Sequence, residues 1–282
     1  MGLNSKLLII AALLPAIVLC VYVYKKDRVE KEPLIFLVQL FLLGVLCCGP
    51  AVILERAVTG AIDNLFSLIH LKTNAYFCNS VDFYYFYNLL YYFVGVALVE
   101  EGLKWIVLRF FALRKGNLNC VFDGLIYAVF ISLGFAALEN VLYVTNYGWT
   151  NALTRAVLSV PGHMFFSVMM GYYFSRFVIL KEANDVMNNL KNEGLVPENA
   201  KKFPDKNCEI LSLVIPVLIH GTYNFSLSIG STVVTVLFLL FIVFLYVISF
   251  KTISKMSKGD GYNETYVSKL IYRHLGVELH MP

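Results

Sequence analysis

The sequence predicts an all-α polytopic membrane protein, a bundle of about seven transmembrane helices. Three observations carry this expectation. First, 59% of the 282 residues are apolar and only 15% are charged, whereas an average soluble domain is about 45–50% apolar and about 25% charged. So little charge cannot cover a water-exposed surface of this size. Second, seven stretches reach the ~20 apolar residues that a helix needs to cross a hydrocarbon core ~30 Å thick. Third, Lys and Arg are distributed unequally between alternate connecting segments. A soluble enzyme, a disordered chain, a collagen and a disulfide scaffold are all excluded. The net charge of +4 is small and scattered, which argues against a nucleic-acid partner. The 22 Phe and 18 Tyr beside 2 Trp suit a lipid-facing surface with tyrosine at headgroup level.

The predicted spans, in order, are Leu7–Tyr24, Leu34–Leu54, Asp82–Leu113, Val121–Tyr147, Asn151–Leu180, Cys208–Ser228 and Thr232–Phe250. Their apolar runs are continuous and do not alternate, so helices rather than barrel strands must satisfy the backbone in lipid. The first span follows Lys6, as a signal peptide would. No A-x-A cleavage site follows it, however, and Lys25, Lys26, Arg28 and Lys31 come directly after. These basic flanks favour a retained helix with its N-terminus outside. In that orientation the cytoplasmic segments (25–33, 114–120, 181–207 and the tail after 250) hold sixteen Lys/Arg. The outer segments hold four: Lys6, Arg56, Lys72 and Arg155. The C-terminus is then cytoplasmic.

Outside the spans, Val58, Ile62, Leu65, Phe66 and Ile69 repeat at helical spacing, as do Val267, Leu270, Ile271 and Leu275. Both stretches are expected as short helices lying on the membrane surfaces. Residues 181–207 read as a solvated connector. The domain plan is a bundle over residues 1–250 and a cytoplasmic amphipathic tail over 251–282. The cysteines Cys20, Cys47, Cys48, Cys78, Cys120 and Cys208 form no CxxC pair and are expected as free buried thiols. Asp123 is expected as an N-cap or interfacial residue.

Several ionisable groups stand inside spans, where each costs about 2.5–3.5 kcal/mol on insertion scales. Span three carries Glu100, Glu101 and Lys104. Span four carries Glu139 and Asn140, span five Pro161-Gly162-His163, and span six His220 and Asn224. At a rise of ~1.5 Å per residue, Glu101 lies ~18 Å above its cytoplasmic end, Glu139 ~27 Å, His163 ~24 Å and His220 ~20 Å. Four polar positions on four helices thus fall in a layer ~9 Å thick, from mid-bilayer towards the outer leaflet. Glu100 and Lys104 are i,i+4 and can pair. His220 and Asn224, and Phe135 and Glu139, each share a face in the same way. Pro161-Gly162 is expected to kink the fifth helix beside His163. Three glutamates against one lysine leave excess negative charge in a low dielectric. Either a divalent cation neutralises it, with histidines as further ligands, or one or two glutamates hold a proton.

Taken together the four motifs resemble those of the PrsW family of intramembrane proteases, within the superfamily of CAAX-processing and bacteriocin-processing membrane proteases. The pattern reads Glu100-Glu101-x-x-Lys104, Phe135-x-x-x-Glu139-Asn140, His163 and His220-x-x-x-Asn224. The likeness covers residues 82–225, and the catalytic core is placed at 82–228. Where Asn224 stands an Asp would also be at home; Asn is the weaker metal ligand and the better oxyanion donor. The resemblance implies a multi-pass protein of the bacterial cell membrane. It also implies hydrolysis of a peptide bond in a membrane-anchored protein, near the outer leaflet. Relatives cut a single-pass anti-sigma factor in a stress-response cascade, so an anti-sigma-factor-like partner is expected.

Two mechanisms remain open at this stage. In one, His163, His220 and Glu139 hold zinc or another divalent metal, with Glu100 or Glu101 as general base. In the other, which uses no metal, Glu101 or Glu100 activates water, Glu139 or His163 assists, and His220 and Asn224 stabilise the oxyanion. Lys104 balances the glutamate pair in both, and Asn140 supports. Two rival readings use the same residues: a proton-coupled transporter with the Glu/His cluster as its relay, and a catalytically silent scaffold.

Overall fold

The structure, a computed structural model, describes residues 3–72, 81–113 and 118–276. Cys78, Arg114 and Lys115 lie outside the described residues. The described chain is helical almost throughout and forms an all-α bundle. In chain order it runs α1 (Leu3–Lys26), α2 (Leu34–Lys72), α3, α4 (Asp123–Val157), α5 (Ser159–Asn192), α6 (Asp205–Ser228), α7 (Thr232–Lys258) and α8 (Asn263–Leu275). α3 is one continuous helical run built from Val81–Leu90, Tyr91–Ala97, Leu98–Val107 and Leu108–Ala112, of which the second and fourth pieces are π-helical.

Five helical stretches are long and apolar enough to cross a membrane: Lys6–Lys26, Leu34–Ile69, Asp123–Asn192, Asp205–Ser228 and Thr232–Lys258. The third of these is 70 residues long and is not one rod. Gly148 breaks it at φ 77°, ψ −161°, a conformation open to glycine because it has no Cβ. That break falls in the gap between the fourth and fifth spans read from the sequence. Contacts such as Ser132 with His163 and Asn140 with Arg155 join residues on opposite sides of Gly148. The two arms therefore run antiparallel. α3 is not among the five; it is divided into shorter α- and π-helical pieces, and it carries Glu100, Glu101, Lys104 and Arg109.

α4 is the centre of the bundle. Residues 122–137 are buried without exception, as expected of a helix that is apolar all round. α1, α2 and α5 pack most extensively against it. Two glycine crossings set these distances. A Cβ on Gly44 would stand 1.9 Å from the Ile131 carbonyl oxygen, and one on Gly134 2.0 Å from that of Phe41. On the other flank a Cβ on Gly171 would meet Leu125 Cα at 2.4 Å. Small residues let membrane helices approach until backbone touches backbone. α7 lies at the periphery and exposes Val233, Leu237, Leu240, Val243 and Phe244, the face a lipid-embedded helix presents.

Five expectations need correction. The outer amphipathic stretch is no separate surface helix: α2 continues through it to Lys72, and Phe66 packs on Phe83 and Tyr87 of α3. The tail helix docks on protein, with Val267 and Ile271 buried against Ile179, Ala183 and Met187. For the same reason the 181–207 connector is helical through Asn192; Met187 and Val196 gain burial that a solvated loop would lack. Of the two alternatives expected for Asp123, the N-cap is not met: Phe122 holds that place and Asp123 Oδ2 accepts the Cys120 N–H at 2.6 Å. Arg155 is not a free outer charge but half-buried in the centre described below. The described cysteines are buried and free, and α4 gives way to α5 at Leu158, just ahead of Pro161, with Leu158 itself still in the right-handed helical region.

At the end of the bundle opposite Gly148, three connecting segments tie together. Phe122 N–H donates to Asp260 Oδ1, Asn263 N–H to the Asn119 carbonyl, and Tyr127 OH to Glu32 Oε2 at 2.5 Å. Burial, with Asp27 and Glu30 nearby, pushes the Glu32 carboxyl above its ordinary range, against the Tyr127 bond. A carboxyl raised by folding contributes stability at low pH that is lost as pH climbs through the folded-state value. Glu32→Gln is therefore expected to raise the melting temperature at pH 8, with the gain shrinking on acidification in a detergent thermal-shift series. Gly134→Leu is expected to cost about 3 kcal/mol or more by overpacking and to abolish the monodisperse protein in size-exclusion chromatography. Gly60→Ala, where nothing lies within 4 Å, is expected to leave it intact.

Candidate active site

The site begins with three side chains on one face of α3. Glu100, Glu101 and Lys104 stand at i, i+1 and i+4, so a lysine can reach both carboxylates. Lys104 Nζ donates to Glu101 Oε1 at 2.8 Å and to Glu100 Oε2 at 3.2 Å. It also lies 3.2 Å from His163 Nδ1 and 4.1 Å from the Phe135 ring centroid. All three α3 side chains are buried, Glu101 completely. The two π-helical pieces flank this segment; such bulges recur at functional sites.

α5 supplies His163, whose ring is held from both sides. An ammonium only donates, so His163 Nδ1 accepts from Lys104 and the ring proton sits on Nε2. Nε2–H points at Glu139 Oε2, 2.8 Å away. Glu139, on α4, is also paired with Arg155 at 3.0 Å. Arg155 Nε donates to Asn140 Oδ1 at 3.0 Å, and the Asn140 amide donates to the Ala12 carbonyl of α1 at 2.7 Å. The Ser132 hydroxyl fixes the His163 carbonyl at 2.9 Å. α6 supplies His220, whose Nδ1–H meets Glu101 Oε1 at 2.9 Å. Its ring stacks on Phe166 at 4.6 Å, and the two histidine rings are 5.4 Å apart.

A cavity of about 590 Å³ opens beside this cluster, towards the Gly148 end of the bundle. Its wall includes Glu100, Glu139, His163, His220 and Asn224, together with Glu55, Arg155 and several tyrosines. Glu101 and Lys104 do not line it; they stand behind. Of the residues read from the sequence, Glu100, Glu101, Lys104, Glu139, His163 and His220 form one bonded network. Asn224 lines the cavity without joining that network, and Asn140 acts one layer out through Arg155.

The sequence reading passed over Arg155 and Glu55. Arg155 sits in the short helical piece beyond Gly148, and its charge was assigned to the outer loop. A usable signal existed: an arginine set back from a span end by a turn can fold inward to a buried carboxylate. Glu55, one residue past the predicted end of span two, gave no periodic signal at all.

Among the described residues, one group of donors lies close enough to share a metal ion. Glu100, Glu101 and His163 offer atoms all within 4.8 Å of one another. These atoms already converge on a cation, the Lys104 ammonium. Glu101 Oε2 is buried with no hydrogen-bond partner, and so remains a spare acceptor. A carboxylate on the far nitrogen of an imidazole, as Glu139 stands to His163, is the usual support of a metal-binding histidine. Oxygen and imidazole donors of this kind fit a divalent ion.

The family described as PrsW family intramembrane metalloprotease matches residues 32–250. A protein named Protease PrsW from Shouchella clausii is 31% identical over 251 residues, covering 89% of this chain and 97% of that relative. Protease PrsW from Oceanobacillus iheyensis is 28% identical over 253 residues, 90% of this chain and 97% of the relative. The Clostridioides difficile protein of the same name is 29% identical over 253 residues, 88% and 90% respectively. No solved structure matches the chain.

Removing one member of a buried ion pair strands the other and costs about 3 kcal/mol or more. Arg155→Met is expected to lower the melting temperature in detergent, and the double variant Glu139→Gln/Arg155→Met to recover part of the loss. A double variant less stable than Arg155→Met alone would remove Arg155 from the network.

Proposed function

The chain belongs to the PrsW family of intramembrane metalloproteases, and on that premise we propose that the cavity beside Glu100, Glu139, His163 and His220 is where it hydrolyses a peptide bond of a membrane-anchored protein. The observation that carries this reading is the bonded convergence of those side chains from α3, α4, α5 and α6 on a single cavity wall.

Amide hydrolysis needs an activated water, a stabilised oxyanion and a proton for the leaving amine. Glu100, Glu101 and His163 would hold the divalent metal, in preference to the His163–His220–Glu139 set, because among the described residues the former donors are the group that lies close enough together. When bound, such an ion lowers the pKa of its water and polarises the scissile carbonyl. Glu139 is then the cavity-lining site carboxylate left outside the donor set. Its Oε2 is committed to His163 and Arg155, so Oε1 takes the proton of the attacking water and returns it to the amine. His220 holds Glu101 in place through Nδ1–H. The Asn224 amide donates to the carbonyl oxygen as negative charge grows there. Lys104 offsets the glutamate pair from behind the cavity wall.

The orientation follows from charge. With the N-terminus outside and α3 counted as a pass, seven helices cross the bilayer and the basic segments fall on the cytoplasmic side. The Gly148 end, and the cavity mouth with it, then faces the outer leaflet. A cut at that depth suits a single-pass substrate cleaved near its outer end, and an anti-sigma-factor-like protein is the substrate class that the family resemblance favours. The catalytic core extends beyond 82–228 to the second half of α2.

Metal analysis of purified protein, paired with cleavage of a membrane-anchored reporter, separates the roles. Glu101→Gln and His163→Ala are expected to lose bound metal and cleavage together. Glu139→Gln is expected to retain metal while cleavage falls by about 10²-fold or more. His220→Ala is expected to weaken metal binding by about 10–100-fold. Full cleavage by rigorously metal-stripped protein would overturn the metal assignment.

A further inference from the structure

Glu55 is a carboxylate without a partner in a place that makes partners necessary. It lies on α2, half-buried, on the wall of the reactive cavity. The register of α2 against α3 is antiparallel: Phe66 packs on Tyr87, the Asp63 carboxylate accepts from Tyr87 OH, and Thr59 abuts Gly95. Continuing that register one turn along α2 brings Glu55 level with Val96–Glu100, and both of those residues share its cavity wall.

The cations of the site are already committed. Lys104 serves Glu100 and Glu101, and Arg155 serves Glu139. Among the described residues no ion pair includes Glu55. Among the described residues, Glu55 is thus the one carboxylate of this cavity wall that no ion pair serves. A carboxylate at such a depth is costly without a cation, and a cation that arrives with the substrate supplies one. The wall around it is suited to one. Tyr91 and Tyr92 line the same cavity, and across it Tyr143 already carries the Arg155 guanidinium 4.1 Å above its ring. Aromatic faces of this kind attract cations.

We infer that Glu55 is a specificity-determining residue, which selects substrates bearing a lysine or arginine close to the scissile bond. This rests on the proteolytic reading given above. A cavity of about 590 Å³ is ~10 Å across, the length of about three residues of extended peptide at ~3.3 Å each. The basic side chain therefore stands within about three residues of the cut. Glu55 does not take part in bond making; it binds one side chain of the substrate and so fixes which amide reaches Glu139.

The test uses full-length protein in liposomes and a panel of single-pass reporters. These are identical except for Lys, Ala or Glu at each of three positions on either side of the cut, which is mapped by mass spectrometry. At one of these positions the wild type is expected to cleave the Lys reporter with kcat/KM about tenfold above the Glu reporter. Glu55→Gln is expected to bring that ratio near one, and Glu55→Lys to invert it. Bound-metal content, measured in the same preparations, is expected to match wild type and shows that each variant is assembled. A Lys-to-Glu ratio unchanged by both substitutions overturns the inference and leaves the protease reading standing. Failure of the wild type to cleave any reporter overturns the protease reading, and the inference with it.

Discussion

The structure is organised around one ammonium group. Lys104 Nζ sits within hydrogen-bond distance of Glu100, Glu101 and His163, against the Phe135 ring, deep in a helix bundle where an unpaired charge of either sign costs several kcal/mol. Each contact answers a different need. The two carboxylates could not remain ionised side by side without a cation between them. The lysine, fully buried, could not remain charged without them. The histidine is forced into one tautomer because an ammonium cannot accept. That tautomer then directs Nε2–H to Glu139, which in turn claims Arg155. A single buried cation therefore fixes the protonation pattern of residues on three helices and itself engages the His163 Nδ1 lone pair.

Such a network needs helices that approach one another closely and stay in register. The crossing of α2 and α4 at Gly44 and Gly134 and of α4 and α5 at Gly124 and Gly171 provides this, because a side chain would strike backbone at Gly44, Gly134 and Gly171 and the Ser175 hydroxyl at Gly124. In lipid there is no hydrophobic drive to bring helices together, so close van der Waals contact between small residues takes its place. The consequence for the site is positional. Ser132 bonds the His163 carbonyl, between the glycine crossings and the reactive cluster, so an error in crossing distance would be transmitted directly to the imidazole.

Much of this was legible in the sequence. The depth calculation placed Glu101, Glu139, His163 and His220 in one layer because a helix converts residue number to height almost linearly. Height is half of the information; azimuth is the other half. Periodicity gives azimuth only relative to neighbours on the same helix, which is why Glu100 and Glu101 could not be told apart until the cavity showed that Glu100 faces it and Glu101 does not. Arg155 escaped for a different reason. It lies beyond the Gly148 break, and charge counting treats any loop cation as solvated, whereas here the short helix 149–157 folds it back on Glu139. The amphipathic tail misled because a helix with one apolar face docks equally well on a membrane or on another helix. Val267 and Ile271 found α5, whose extension past Lys181 had no hydropathy signal to announce it.

Charge balance links the buried network to the cavity mouth. Lys104 neutralises from behind the wall, where no substrate reaches; Arg155 neutralises from the hairpin side and touches the cavity. Glu100 and Glu139, the site carboxylates that line the cavity, are thus each paired with a cation. Glu55 has no such support. A cavity in which every carboxylate were paired would be a well-folded pocket with no electrostatic reason to prefer one polypeptide over another. One in which none were paired would not assemble in a bilayer. The division observed, with Glu100 and Glu139 paired and Glu55 not, satisfies the folding requirement with the chain's own cations and, on the proposed proteolytic reading, leaves one carboxylate of the wall for an incoming polypeptide.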